Sequence, residues 1–314
     1  MQTERILDLP LVREDEDNIC LPLVISVVAR YWHQDIPLEE AKSIARKYPN
    51  VKASIMIEGI ELAEKHNFKT FIYKGDIKDL KKRIEQGFAP IVIMPGIKDV
   101  VQHALVIQGY DESKRKILTY IPEPDKMGAI EEQKFKELWE EDDNLTLLLV
   151  PDDMSMYVKD NLKFLRSNRV CFEAERARLL GKHEEALELL SNSKEDNPRV
   201  WYMLGVIYSD LKDYKRAEEC YKQALAFNKR FYLAYRGLGN LYLKIKDYKR
   251  AEEYYTRAIE INPNRFAPIY KNRAIARLEL GKNKDAVEDL RLYLKYYPDA
   301  SDKASIEAYI KELS

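Results

Sequence analysis

No stretch of this 314-residue chain is apolar for long enough to cross a bilayer. The longest apolar run, Ile19 to Ala29, is broken by Pro22 and Ser26 and falls short of the roughly 20 residues that a spanning helix needs. No membrane-spanning segment is expected. Net charge is also missing, because 52 lysines and arginines nearly cancel 53 aspartates and glutamates. So weak a field does not gather nucleic acid or an anionic membrane surface, and neither is expected as a partner. The three cysteines, Cys20, Cys171 and Cys220, form neither an even set nor a Cys-x-x-Cys pair, which argues against a disulfide framework and structural zinc. Four scattered histidines share no spacing, so no metal and no cofactor are expected; His33, His66 and His183 fall in helix ends or charged turns and read as solvated. The opening "MQTERILDLPLVRED" carries charges where a secretion signal has its apolar core, which points to a cytoplasmic location.

What is present is a fixed period in the second half. "DYKRAEECYKQAL" at 213–225 returns as "DYKRAEEYYTRAI" at 247–259, and Gly205/Gly239, Tyr208/Tyr242 and Ala217/Ala251 each stand 34 residues apart. Trp201, Leu204, Gly205, Tyr208, Ala217, Tyr221 and Ala224 resemble the tetratricopeptide repeat pattern, as do Tyr235, Leu238, Gly239, Tyr242, Ala251, Tyr255, Ala258 and Pro263. Small residues let paired helices approach closely while aromatics fill the gaps between hairpins. A further unit carries Ala274, Ala286 and Pro298, a weaker one Ala174, Ala186 and Pro198, and "DKASIEAYIKELS" has helical spacing suited to a cap. An all-α tetratricopeptide repeat solenoid with a C-terminal capping helix is expected over 166–314, after a linker at 151–165.

The first half has another rhythm. Behind the acidic run Glu14–Asp17, Cys20 opens an apolar helix; "IPLEEAKSIARKYP", "IMIEGIELAEKHN" and "KDLKKRIEQG" show helical spacing. "FKTFIY", "APIVIM", "HALVIQGY", "KILTYI" and "LTLLLV" read as strands bounded by Gly, Pro, Asn and Asp. Early helices and a late, mostly antiparallel sheet predict an α+β domain over 1–150.

"DLPLVREDEDNICLPLVISVVARYW", "GFAPIVIM", "QHALVIQGYD", "EP" and "FKELW" together resemble the papain-like bacteriocin-processing, or double-glycine leader, peptidase family. The resemblance implies a papain-like fold in which Cys20 attacks a peptide carbonyl and His103 shuttles the proton. The chemistry asks for the same arrangement, since a helix N-terminus and a neighbouring imidazolium both favour the attacking thiolate. A third residue must hold the imidazole ring. Pairing Tyr110 with Lys116 across the turn "GYDESKRKIL" sets His103 opposite Glu123, which precedes Pro124 as the family's aspartate precedes proline. Asp111 is excluded as orienter, being eight residues further along the strand, roughly 26 Å at about 3.3 Å each. Two departures stand out. Glu14 occupies the position of the glutamine that donates to the oxyanion, and losing one such donor costs about a hundred- to a thousandfold in turnover. Leu21 replaces a glycine beside the expected path of substrate backbone.

On the solenoid, Arg236 and Asn240 share a face, and the repeat offset brings Lys271 and Asn272 beside them. These four are the candidate contacts for a protein or peptide ligand, a carboxylate terminus among the chemistries they suit. Two functions follow from the sequence: a papain-like cysteine peptidase coupled to an interaction domain, or a catalytically inactive, peptidase-like adaptor. No motif sets the oligomeric state.

Overall fold

The computed structural model describes residues 4–12, 19–44, 47–48, 55–96, 98–123, 126–158, 161–193 and 196–313. By its contacts the chain divides into two units, Met1–Met94 with His103–Ser193, and Pro95–Gln102 with Lys194–Ser314.

The first unit is α+β. Its sheet combines β1 (Glu4–Ile6), β2 (Phe68–Lys74), β3 (Ile91–Pro95), β4 (Gln102–Asp111), β5 (Lys116–Tyr120), β6 (Met127–Glu131) and β7 (Leu145–Pro151). The strand order is β2-β7-β3-β4-β5-β6, with β1 also on β4, and the β1–β4, β2–β7, β3–β7, β4–β5 and β5–β6 pairs are antiparallel. The runs read as strands are all strands; β1 and β6 are additional. Around the sheet stand α1 (Cys20–Tyr31), α2 (Leu38–Ser43), α3 (Met56–Lys65), α4 (Ile77–Glu85) and α5 (Glu132–Glu140). Because α1 is apolar nearly all round, it is sunk in the core: Ile25, Val27, Val28 and Ala29 are fully buried. Trp139 of α5 is core too, its indole N–H donating to the Leu145 carbonyl.

The unit continues into α6 (Leu165–Leu179) and α7 (His183–Ser191). Arg169 of α6 reaches both carboxylate oxygens of Glu64 on α3, and Arg176 reaches Glu61. Cys171 is buried on α6.

The second unit stacks helical hairpins: α8 (Pro198–Asp210) with α9 (Tyr214–Phe227), α10 (Tyr232–Lys244) with α11 (Tyr248–Ile261), α12 (Pro268–Glu279) with α13 (Asn283–Tyr296), and then α14 (Lys303–Leu313). The sequence marks these helix starts. Asn197 accepts from the Arg199 N–H ahead of Pro198, while Asp213 and Asp247 accept from the N–H groups of Arg216 and Arg250. Gly205 faces the Tyr221 ring and Gly239 the Tyr255 ring, each so closely that a Cβ there would lie within 2.7 Å of ring carbons. The repeat's small residues thus set how near the paired helices lie. Cys220 is buried on α9.

Candidate active site

Cys20 is the first residue of α1, and no side chain caps that helix end. The unsatisfied N–H groups of the first turn are therefore free to face the sulfur. Those of Cys20 and Leu21 do so, and a third, from Ala104 on β4, approaches from the sheet. Ala104 follows His103 on β4, so the backbone at the start of β4 lies by the N-terminus of α1. Upstream, the Tyr120 hydroxyl accepts from the Val12 N–H at 2.9 Å, tying the segment that leads toward α1 to β5.

Burial pushes the Cys20 thiol above its ordinary pKa, against the three backbone N–H groups, which favour thiolate. Desolvation draws the His103 imidazole below its ordinary value, although the residue as a whole is exposed and water moderates that shift. Both shifts favour the uncharged forms.

The third position differs from the sequence expectation in detail. Tyr110 pairs with Ile117 and Asp111 with Lys116, one residue away from the expected register; a bulge between Ile107 and Gly109 then brings Ile107 opposite Thr119. The irregularity absorbs one residue of β4, so the His103 end of the hairpin regains the register expected for it. However, β5 ends at Tyr120, and Glu123 lies beyond it, exposed, with its carboxylate on Lys126. Among the described residues His103 has no hydrogen-bond partner. Asp111 serves the turn instead, accepting from the Ser113 hydroxyl and the Lys114 N–H.

Glu14 lies outside the described residues. Leu21 does not border an open path: its side chain is buried and packs where α1 meets Gly59 of α3. His66 is half-buried rather than solvated, with its Nε2 3.0 Å from Glu40. Among the described residues no group of three or more His, Cys, Asp or Glu could hold a metal ion, and no helix is long and apolar enough to cross a membrane.

In the second unit, Asn240 on α10 accepts from the Tyr255 hydroxyl at 2.8 Å and from the Asn272 amide of α12 at 3.5 Å. Arg236 lies over the Phe266 ring at 4.8 Å, with its buried Nε lacking a partner among the described residues. Burial raises the Tyr255 pKa while the Arg236 charge opposes that rise. Arg236, Asn240 and Asn272 therefore converge, together with a tyrosine that reads in the sequence as packing alone. Lys271 is engaged elsewhere, its ammonium 2.8 Å from Asp302.

Residues 8–153 match the peptidase C39 family. Residues 198–231, 232–265 and 272–300 match the tetratricopeptide repeat. No curated protein matches the chain at a significant level. Similar solved structures include MamA 41-end from Desulfovibrio magneticus RS-1, 21% identical with a TM-score of 0.40, covering 47% of this chain and 94% of that one. Another is the Arabidopsis OM64 TPR domain, 23% identical with a TM-score of 0.34, covering 37% of this chain and 94% of that one.

Proposed function

For a chain that joins a peptidase C39 family domain to tetratricopeptide repeats, we propose a cysteine peptidase-type thiol hydrolase coupled to a protein-interaction domain. The observation that supports this reading is the Ala104 N–H beside the Cys20 sulfur, because His103 is the residue before it on β4. In the reaction His103 takes the Cys20 proton as the sulfur attacks a peptide carbonyl, and returns it to the leaving amine. Shifts that favour the uncharged forms suit general-base activation during attack. Glu123 fixes the ring only after leaving Lys126. The repeat unit takes a protein or peptide partner, with Arg236, Asn240 and Asn272 as its polar contacts, joined by Lys271 only when it leaves Asp302.

Two features favour a second reading, a non-catalytic adaptor that binds peptides in the cleft the resemblance implies. The Glu123 carboxylate is held by Lys126, and in the family resemblance Glu14 takes the place of the oxyanion-donating glutamine. Turnover of a peptide library by the full chain, against Cys20→Ala, separates the two. Cys20-dependent cleavage that rises in Glu14→Gln supports the hydrolase. No cleavage by either the native chain or Glu14→Gln leaves the adaptor.

A further inference from the structure

Residues 95–102 link β3 to β4, yet their contacts assign them to the second unit. The segment is folded on itself before it meets the solenoid. The Gly96 N–H donates to the Val101 carbonyl at 3.2 Å, and a Cβ on Gly96 would lie 2.1 Å from the Val100 carbonyl oxygen, so the tight return accepts only glycine.

This folded segment meets the turns between helical hairpins in four directed contacts. The Lys98 carbonyl accepts from the Ala267 N–H at 2.6 Å, at the start of α12. The Val101 carbonyl accepts from Arg265 Nε at 3.0 Å. The Lys98 ammonium pairs with Asp299 at 2.9 Å, and the Tyr297 hydroxyl donates to the Asp99 carboxylate at 3.1 Å. The Val101 side chain also packs on the solenoid core.

The receiving surface is built for this. With the segment in place Arg265 is fully buried, and its guanidinium lies 4.3 Å from the Tyr232 ring centroid. The corresponding residue one repeat earlier is Phe231, so the arginine is particular to the turn that receives the segment. Two backbone carbonyls, a cation, an anion and one apolar side chain are each met by a matching group. A chance surface contact does not match five features of one short segment.

We propose that the turns around Arg265 and Tyr297 are a docking site whose ligand is this chain's own segment 95–102, and that docking sets the position of His103. Gln102 precedes His103 directly, so holding Val101 limits the freedom of the imidazole. A protein partner that engages the same turns displaces the segment and changes the imidazole's surroundings. Partner binding by the repeats and chemistry at Cys20 are thereby linked. That last link rests on the hydrolase reading, whereas the docking itself does not.

The test uses the full chain and two readouts. Amide hydrogen exchange follows Ala267 and Gly96, and NMR follows the titration of the His103 ring. In the native chain the Ala267 amide, which donates to the Lys98 carbonyl, and the Gly96 amide, which donates to the Val101 carbonyl, exchange slowly. Tyr297→Phe, which keeps the ring that packs against the repeat core, combined with the exposed Asp299→Lys, speeds that exchange at least about tenfold and moves the His103 titration. Adding Lys98→Glu to Asp299→Lys restores the ion pair in reverse and recovers both values toward native. Exchange already at the open-chain rate in the native protein overturns the docking site. Faster exchange with an unmoved His103 titration overturns the control of His103. Cys20 reactivity that ignores His103→Ala, with both readouts behaving as stated, refutes the hydrolase reading and leaves the docking site standing.

Discussion

Gly239→Ala tests whether aromatic packing against small residues sets the solenoid's geometry. A Cβ at this position would lie 2.5 Å from Cδ1 and Cε1 of Tyr255 and 3.0 Å from its Cγ. Carbon atoms prefer about 3.5–4.0 Å, so the ring must withdraw by roughly 1 Å. It has little room, being fully buried with its hydroxyl tied to Asn240 at 2.8 Å. Alanine gains about 1 kcal/mol over glycine in a helix interior. Overpacking a core costs about 1–3 kcal/mol, and losing the Tyr255–Asn240 hydrogen bond costs about 1 kcal/mol more. The net expectation is a destabilisation of about 1–3 kcal/mol. With a urea dependence of about 1–3 kcal/mol per molar, the unfolding midpoint of the repeat unit falls by about 1 M. Adding Tyr255→Leu removes the ring, so the double variant is less destabilised than the sum of the two singles. A Gly239→Ala midpoint equal to or above native, or strict additivity with Tyr255→Leu, would refute the packing argument.

Asp289 is fully buried and accepts from Arg273 at 2.6 and 2.9 Å and from Arg277 at 2.9 Å. Asp289→Ala leaves two guanidinium groups without their shared anion and costs about 3–5 kcal/mol; a urea titration showing under about 1 kcal/mol contradicts this. The Arg169 guanidinium holds the Glu64 carboxyl below its usual pKa, with the Thr70 hydroxyl adding to the effect. Its contribution to stability is therefore complete above the ordinary glutamate range near about 4.3 and disappears as pH falls through the lowered folded value. Thermal melts from pH 7 to 3 should lose less stability over that window in Glu64→Gln; an unchanged acid slope refutes the assignment. On the repeat face, Arg236→Ala weakens binding of an acidic-tailed peptide at least several-fold by isothermal calorimetry, while an unchanged affinity moves the partner site elsewhere.

The repeats were the most legible part of the sequence because identical packing problems recur at a fixed spacing. Gly205 and Gly239 meet equivalent tyrosines, and the aspartates before α9 and α11 cap them in the same way. The strands with continuous apolar runs were legible for a similar reason. Two others were not: β1 has only three residues, and β6, "MGAIE", alternates between exposed and half-buried positions with little apolar content. Their pairing comes from neighbouring strands rather than from local pattern.

Cys20 was singled out by its place before an apolar helix, and both it and His103 by the family resemblance. The Ala104 N–H was invisible because any residue type supplies it. The bulge between Ile107 and Gly109 displaced the near end of the β4–β5 hairpin by one residue, an irregularity that no alternation of side chains records. Leu21 faces the core because α1 and α3 meet at Gly59, a crossing set by tertiary packing. The segment 95–102 carried no periodic signal at all; its ligand-like fit depends on Arg265, nearly 170 residues further along the chain.

The central claim is that Cys20 and His103 work as a pair, and its most direct test is the alkylation rate of Cys20 against pH in the native chain and in His103→Ala. Cys171 and Cys220 are buried internal controls. The account predicts a rate that climbs through an apparent pKa above the roughly 8.5 of a free thiol, because burial opposes the thiolate. It also predicts a rate at neutral pH at least several-fold lower in His103→Ala. Equal rates in the two proteins across the whole range would contradict the pairing.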